Sequence, residues 1–234
     1  MTEPRSRGSA VNLCVRRGKP AGAQPLCGEV LRQAALRSCS RPCFGVISGA
    51  MKNKARHILL GVTGSIAAYK AVELVRLMRK RDWEVSVIMT RAATKFVGEL
   101  TFRTLSRNPV AVDMFDAPEE WCPEHLALAE RADAVVVAPC TANVIAKIAH
   151  GLADDLLACA VLAAAAPVIV APAMNARMWD NPAMRANVKL LLSRGVHVVD
   201  VESGELACGC EGRGRMASLD SIMSALDRVL RKAR

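Results

Sequence analysis

Apolar runs and amphipathic segments alternate between residues 57 and 201, and this alternation limits the possible fold more than any other feature. Five short apolar runs are typical of strands: 57–62, 84–90, 134–139, 167–173 and 197–201. Helical spacing of apolar residues fills the intervals at 65–81, 124–131, 142–151, 154–164 and 181–195. Continuous apolar strands between amphipathic helices indicate a parallel sheet covered on both faces. The sequence therefore predicts one α/β domain with a doubly wound sheet, Rossmann-like or flavodoxin-like.

Composition agrees with a globular chain that binds neither membranes nor nucleic acids. Of its 234 residues, 52% are hydrophobic and only 3% are aromatic, so the core is expected to consist of Ala, Val, Leu and Ile. No apolar run reaches the roughly 20 residues needed to cross a bilayer. The net charge of +10 is uneven, because residues 1–50 contribute eight Lys/Arg against two Glu. A mild excess elsewhere, without aromatic residues interleaved, argues against nucleic-acid binding.

Residues 1–50 differ from the remainder of the chain. They hold four of the nine cysteines and show no sustained periodicity of either 2 or 3.6 residues. We expect a disordered or artefactual extension here, with Met51 as the true start and a transit peptide as the alternative. The folded domain is predicted to span residues 51–234. Because the N-terminus lacks an apolar signal-peptide core, we expect a cytoplasmic protein with reduced thiols.

Small and polar residues follow four of the predicted strands. The segments are Thr63-Gly64-Ser65, Thr90, Pro139-Cys140-Thr141-Ala142-Asn143 and Pro172-Ala173-Met174-Asn175. Ligands of doubly wound sheets bind beyond the carboxyl ends of the strands, and helix N-termini with hydroxyls favour anionic oxygens. The sequence thus predicts a site for a small molecule that carries a phosphate. For each segment alone an alternative stays open: Gly64-Ser65 as a capped turn, and the asparagines as helix caps.

Two cysteines lie one residue apart in GELACGCEGRGRM, residues 204–216. A disulfide between Cys208 and Cys210 would be strained. A zinc site would need two further ligands, which no nearby spacing supplies. We therefore predict no metal site, and a thiol positioned for chemistry stays open as an alternative.

Four stretches, in this order, resemble the homo-oligomeric flavin-containing cysteine decarboxylases. They are GSIAAYK (64–70), PCTANVIAKIAHGLADDLL (139–157), PAMNARMW (172–179) and LACGCEGRGRM (206–216). The similarity extends from residue 54 to about residue 218. It implies FMN as the cofactor and a cysteine moiety as the group that loses CO₂. The FMN-binding residues are then expected to be Gly64, Ser65, Ile66, Thr90, Thr141, Ala142, Asn143 and Ala173.

The resemblance also implies a reaction. The flavin oxidises the thiol to a thioaldehyde, CO₂ leaves, and the reduced flavin returns the resulting enethiolate to a thiol. The branch that the motifs match best acts on 4′-phosphopantothenoylcysteine and forms 4′-phosphopantetheine in coenzyme A biosynthesis. The alternatives are a peptidyl-cysteine decarboxylase acting on a ribosomal peptide and a non-enzymatic relative that regulates a phosphatase.

Site residues follow from the same resemblance. His125 matches the base of the oxidation and decarboxylation half, and Asn175 matches the residue that holds the substrate carboxylate. Cys208 matches the thiol that protonates the enethiolate from a mobile, glycine-rich flap. Met178 and Arg213 are expected to contact the substrate. Arg213 and Arg215 on the flap could both meet a phosphate of the substrate, although they would attract an acidic peptide as well.

The resemblance further implies a homo-oligomer, a trimer or a dodecamer of trimers, and a separate phosphopantothenate–cysteine ligase that supplies the substrate. Three positions depart from the family pattern. Cys140 stands where Ala is common, Val144 where Thr is usual, and Cys210 where Asp is usual. None of the three is a proposed proton carrier, so we expect them to affect affinity and flap electrostatics more than the reaction.

Overall fold

The computed structural model describes residues 55–114, 124–205, 207, 209 and 211–232, with only the backbone described at 124 and 125. Six strands form one sheet: β1 (His57–Val62), β2 (Glu84–Met89), β3 (Val110–Ala111), β4 (Ala134–Cys140), β5 (Val168–Pro172) and β6 (His197–Val198). Two more, β7 (Glu202–Glu205) and β8 (Glu211–Arg215), form a separate antiparallel pair. The helices are α1 (Ala68–Arg79), α2 (Glu99–Ser106), α3 (Glu124–Arg131), α4 (Ala142–His150), α5 (Leu156–Ala163), α6 (Ala176–Trp179), α7 (Pro182–Ser193) and α8 (Leu219–Lys232).

The large sheet is parallel throughout and has the strand order β3-β2-β1-β4-β5-β6. The chain moves outward from β1 to β3, then returns to pair β4 with the other side of β1. In register, Leu60 lies between Val87 and Val136. This arrangement confirms the predicted doubly wound α/β domain. Its point of reversal lies between β1 and β4, where such sheets open a crevice for ligands.

Two apolar clusters cover the two faces of the sheet. Ile58 and Leu60 point into the cluster formed with α1, α2 and α8, whereas Leu59 points into the cluster formed with α4, α5 and α7. Every residue of β1 and β4 is buried, because alternate side chains of a strand enter opposite faces. The continuous apolar runs of the sequence follow from this double coverage.

Local signals set several helix boundaries inside the predicted helices. The segment predicted from residue 65 becomes α1 only at Ala68, because Ser65–Ala67 form a turn in which Ala68 N–H donates to the Ser65 carbonyl at 2.9 Å. Helix α5 begins after Asp155, whose Oδ1 accepts from Ala158 N–H at 2.8 Å. Such caps satisfy backbone donors that have no partner within the helix.

The structure adds elements that the periodicity did not predict: β3, α2, α6 and the β7–β8 hairpin. Strand β3 has two residues and α6 has four, too few to show a period. The hairpin consists of Glu, Gly, Ser and Arg in its strands and lacks apolar alternation. Across the described part of the chain, the helices are all too short or too polar to span a bilayer.

We predict that Leu60→Ala lowers the free energy of unfolding by about 2–5 kcal/mol, because the truncation leaves a cavity in the core. Leu60 is fully buried, whereas Leu162 on α5 is 62% exposed. The matched control Leu162→Ala should change stability by no more than about 0.5 kcal/mol. Urea denaturation measures both values, and equal losses in the two variants would contradict this packing.

Candidate functional site

A cavity of about 1220 Å³ opens at the carboxyl ends of β1, β2, β4 and β5. It lies at the reversal point of the sheet, where the crossover loops diverge. The structure brings together ten residues that the sequence assigned to this site: Gly64, Ser65, Ile66, Thr90, Thr141, Ala142, Asn143, Ala173, Asn175 and Met178. The residues that follow four of the predicted strands therefore line one cavity, as the sequence predicts.

Thr63 joins two of these strand tips. Its side chain is fully buried, and its Oγ1 donates to the Pro139 carbonyl at 2.8 Å. The same oxygen accepts from the Thr141 N–H at 3.1 Å. One hydroxyl thus holds the loop after β1 and the loop after β4 in a fixed relation. We did not identify this role in the sequence, where the only signal is a polar residue at the end of an apolar strand.

Gly64 brings the same loop against the turn that follows β2. A Cβ at Gly64 would lie 2.4 Å from the Cβ of Ala92, so no larger residue fits without displacing that turn. Thr90 stabilises the turn, since its Oγ1 accepts from Ala93 N–H at 3.3 Å. Ser65 also acts as a local cap, because its Oγ accepts from Ala67 N–H at 3.3 Å. Gly64 and Ser65 therefore form a capped turn and also line the cavity.

Asn175 lies after β5 and begins α6. Its Oδ1 accepts from Arg177 N–H at 2.9 Å, which confirms the cap alternative for Asn175 and also orients its carboxamide. For Asn143 that alternative is wrong, because this residue lies inside α4, whose N-cap is Thr141. Met178, 49% exposed, reaches the cavity from the same short helix. Trp179 is buried and packs in the apolar cluster beneath. The loop therefore has a firm apolar anchor and presents Asn175 and Met178 to the cavity.

The β7–β8 hairpin attaches to this loop through backbone. Met174 N–H donates to the Gly214 carbonyl at 2.9 Å. A Cβ at Gly214 would lie 2.3 Å from the Met174 carbonyl oxygen, so only glycine permits this approach. Its φ of 144° is also a conformation that residues with a Cβ rarely adopt. The base of the hairpin is thereby held next to Asn175.

The hairpin contributes Glu205, Ala207, Gly214 and Arg215 to the cavity wall. Arg213, which we predicted to contact the substrate, is exposed on β8 and is not among the residues that line the cavity. Arg215, two residues further along the same strand, does line the cavity, and the contact of Arg213 with the substrate stays a prediction.

Two proposed proton carriers fall outside what the structure describes. His125 lies in α3, and its side chain is outside the described residues. Cys208 and Cys210 are outside them as well, although Ala207 and Gly209 on either side of Cys208 are described. The roles of His125 and Cys208 remain predictions from the resemblance.

An ion-pair cluster that we did not predict lines another part of the cavity. Lys147 Nζ on α4 lies 2.7 Å from Asp154 Oδ1 and 2.6 Å from Asp155 Oδ2. Burial lowers the pKa of Lys147, but the hydrogen bonds and charges of the two aspartates outweigh burial and raise the pKa overall. The hydrogen bond from Lys147 lowers the pKa of Asp154. These contacts connect α4 to the start of α5.

We predict that Thr63→Val weakens flavin binding while Thr63→Ser preserves it. Valine matches the shape of threonine but leaves Pro139 O and Thr141 N–H without their partner, which costs about 1–3 kcal/mol. Titration of the flavin-free protein with FMN, followed by fluorescence quenching, measures the affinity. Wild-type affinity and stability in Thr63→Val would show that the two loops hold their places without this hydroxyl.

Comparison with known proteins identifies relatives of the chain. The chain is 43% identical over 176 residues to the coenzyme A biosynthesis bifunctional protein CoaBC of Haemophilus influenzae, an alignment that covers 75% of the chain and 44% of that protein. The chain thus spans less than half the length of this relative. It is 40% identical to a probable phosphopantothenoylcysteine decarboxylase of Streptococcus mutans, covering 75% of the chain and 99% of that protein.

Solved structures agree with the fold. A cysteine-to-serine mutant of PPC decarboxylase complexed with pantothenoylaminoethenethiol is 31% identical, with a TM-score of 0.68 over 75% of this chain and 98% of that chain. The FMN binding protein AtHal3 is 30% identical, with a TM-score of 0.66 over 77% of this chain and 99% of that chain. The Flavoprotein family model matches residues 47–231. The chain therefore belongs to the Flavoprotein family.

Proposed function

We propose that this protein is an FMN-dependent carboxy-lyase that decarboxylates 4′-phosphopantothenoylcysteine to 4′-phosphopantetheine in coenzyme A biosynthesis. The observation that carries the proposal is the cavity that unites the loops after β1, β2, β4 and β5 with Asn175 at its edge. The relative from Streptococcus mutans that is matched over 99% of its length is named for this activity.

The described residues fit FMN. A volume of about 1220 Å³ exceeds what a single small ligand fills, since such pockets usually measure about 300–1,000 Å³. Ser65, Thr90 and Thr141 bring hydroxyl groups to the lining of the cavity, and hydroxyls can donate hydrogen bonds to a phosphate or to a polar ring edge. Bound FMN would supply the two-electron oxidation of the cysteine thiol and the return of both electrons.

The chain's own residues orient the substrate. The carboxamide of Asn175 is fixed by its cap bond to Arg177 N–H. An amide nitrogen donates hydrogen bonds to a carboxylate without adding a positive charge, so Asn175 would hold the departing carboxylate without stabilising it as an ion pair. Met178 would pack against the substrate from the same helix.

We assign proton transfer to His125 and Cys208 on the basis of the family resemblance. An imidazole with an ordinary pKa accepts a proton readily at neutral pH, so His125 would take protons during thiol oxidation. Cys208 would donate a proton to the enethiolate carbon during its reduction. The hairpin that bears Cys208 is fixed at its base by Gly214, and closure of its outer part would exclude water from the reactive species.

The assembly and cellular context belong to the same proposal. We infer that the domain is residues 51–234, that it forms a homotrimer or an assembly of trimers, and that it works in the cytoplasm. A separate phosphopantothenate–cysteine ligase would form the substrate. Exposed apolar side chains at the cavity, Ile66 at 58% and Tyr69 at 60%, support a neighbouring subunit at this edge.

We predict that the purified, FMN-loaded protein releases CO₂ from 4′-phosphopantothenoylcysteine far faster than from a peptide ending in cysteine. Coupled detection of CO₂ with mass spectrometry of the product measures both reactions. Faster turnover of the peptide would assign the protein to peptide modification. Absence of turnover with either compound would favour a binding role and contradict the proposal.

We predict that two substitutions separate the halves of the reaction. His125→Asn should retain FMN but form no CO₂, because the first half lacks its base. Cys208→Ser should release CO₂ and accumulate the enethiol. The capture of pantothenoylaminoethenethiol by a cysteine-to-serine mutant of a PPC decarboxylase supports this expectation. Normal 4′-phosphopantetheine yield from Cys208→Ser, read by mass spectrometry, would remove Cys208 from the mechanism.

A further inference from the structure

Two of the cationic side chains at the cavity form no ion pair with a carboxylate of the described residues. Four cationic side chains of this part of the chain line the cavity: Lys70, Arg91, Lys147 and Arg215. Arg91 pairs with Asp113, and Lys147 pairs with the two aspartates before α5. Neither Lys70 nor Arg215 forms an ion pair with a carboxylate in the described ranges.

Both cations line the cavity, Lys70 from α1 and Arg215 from the hairpin, and they are close enough for their charges to interact. Burial lowers the pKa of Lys70, the positive charge of Arg215 lowers it further, and Glu202 raises it. Glu202 lies opposite Arg215 in the hairpin register. Its Oε1 accepts from Ser218 N–H at 2.7 Å, so this carboxylate is held at the start of α8.

The position of Lys70 is unfavourable for a cation that has no anion beside it. Lys70 lies in the first turn of α1, where the positive end of the helix dipole disfavours a cation. The guanidinium of Arg215 packs over Gly204, with Nη1 3.2 Å from where a Cβ would stand. Glu205 is a hairpin carboxylate that lines the cavity, and it lies at the other end of β7 from Glu202, opposite Glu211. With two cations against the single carboxylate of Glu202, the corner between α1 and the hairpin base has a net positive charge.

We propose that Lys70 and Arg215 bind the phosphate group at the end of the substrate remote from its cysteine. The inference rests on the proposed function and deepens it. An ammonium and a guanidinium together neutralise a phosphate dianion, and the planar guanidinium can donate two parallel hydrogen bonds to its oxygens. The pair would make the enzyme selective for a phosphorylated small molecule over a peptide that ends in cysteine.

The experiment compares 4′-phosphopantothenoylcysteine with pantothenoylcysteine, which lacks only the phosphate. In the FMN-loaded protein, Lys70→Gln and Arg215→Gln should each reduce the preference in kcat/KM for the phosphorylated compound by about 10- to 100-fold, as expected for hydrogen bonds to a charged group. The loss should appear mainly as a higher KM for the phosphorylated compound. Lys70→Arg keeps the charge and should keep most of the preference.

Two further measurements distinguish the loss of phosphate binding from a general loss of activity. Calorimetry with 4′-phosphopantetheine and pantetheine should show the same loss of phosphate-dependent affinity without turnover. The control Lys80→Gln removes an exposed cation beyond the other end of α1 and should alter neither readout. FMN affinity, measured on flavin-free protein, should be unchanged in all variants.

The outcomes separate this inference from the proposed function. A wild type that decarboxylates both compounds, with variants that retain the preference, would overturn the phosphate assignment alone. Loss of FMN affinity in place of the substrate preference would also overturn it, because the pair would then hold the cofactor. Loss of the preference in Arg213→Gln but not in Arg215→Gln would assign the phosphate contact to Arg213 and overturn its assignment to Arg215. A wild type inactive on both compounds would overturn both proposals.

Discussion

The pairing of β1 with β4 is the constraint on which the site depends. Because these strands are parallel neighbours that continue into opposite halves of the sheet, their loops diverge at the carboxyl edge and leave a crevice. The buried Thr63 hydroxyl fixes the two loops to each other at that point. A buried hydroxyl with both hydrogen bonds formed specifies one geometry, since breaking either bond would leave a buried polar group without a partner.

The rest of the cavity wall is placed by close backbone contacts. Gly64 lets the β1 loop approach the turn after β2, and Gly214 lets the hairpin approach the loop after β5. An added Cβ would lie only 2.4 Å from the nearest atom at Gly64 and 2.3 Å at Gly214. Packing therefore requires glycine at both positions. The result is a rigid wall formed by strand tips, to which a hairpin is attached at its base. Such a wall suits preorganised binding, because little ordering entropy remains to be lost when a ligand enters.

The fold was largely predictable from the sequence, because β1, β2, β4 and β5 are continuous apolar runs and the helices between them are amphipathic. The elements that escaped prediction are short or polar, as in β3, α6 and the hairpin. The site was predictable where strand ends meet small polar residues, as at Gly64 and Asn175. Contacts between distant segments, such as the hydrogen bond from Met174 N–H to the Gly214 carbonyl, leave no local pattern. For the same reason Arg213 and Arg215 could not be told apart before the hairpin register was known.

The central claim is that this edge of the sheet binds one flavin per chain. Titration of flavin-free protein with FMN tests it most directly, with bound flavin followed by its visible absorption spectrum and fluorescence. The account predicts that the wild type forms a yellow complex that saturates at one FMN per chain. It also predicts that Gly64→Val forms no such complex, because its side chain would be forced into the contact with Ala92. A folded wild-type protein that remains colourless at saturating FMN would contradict the account.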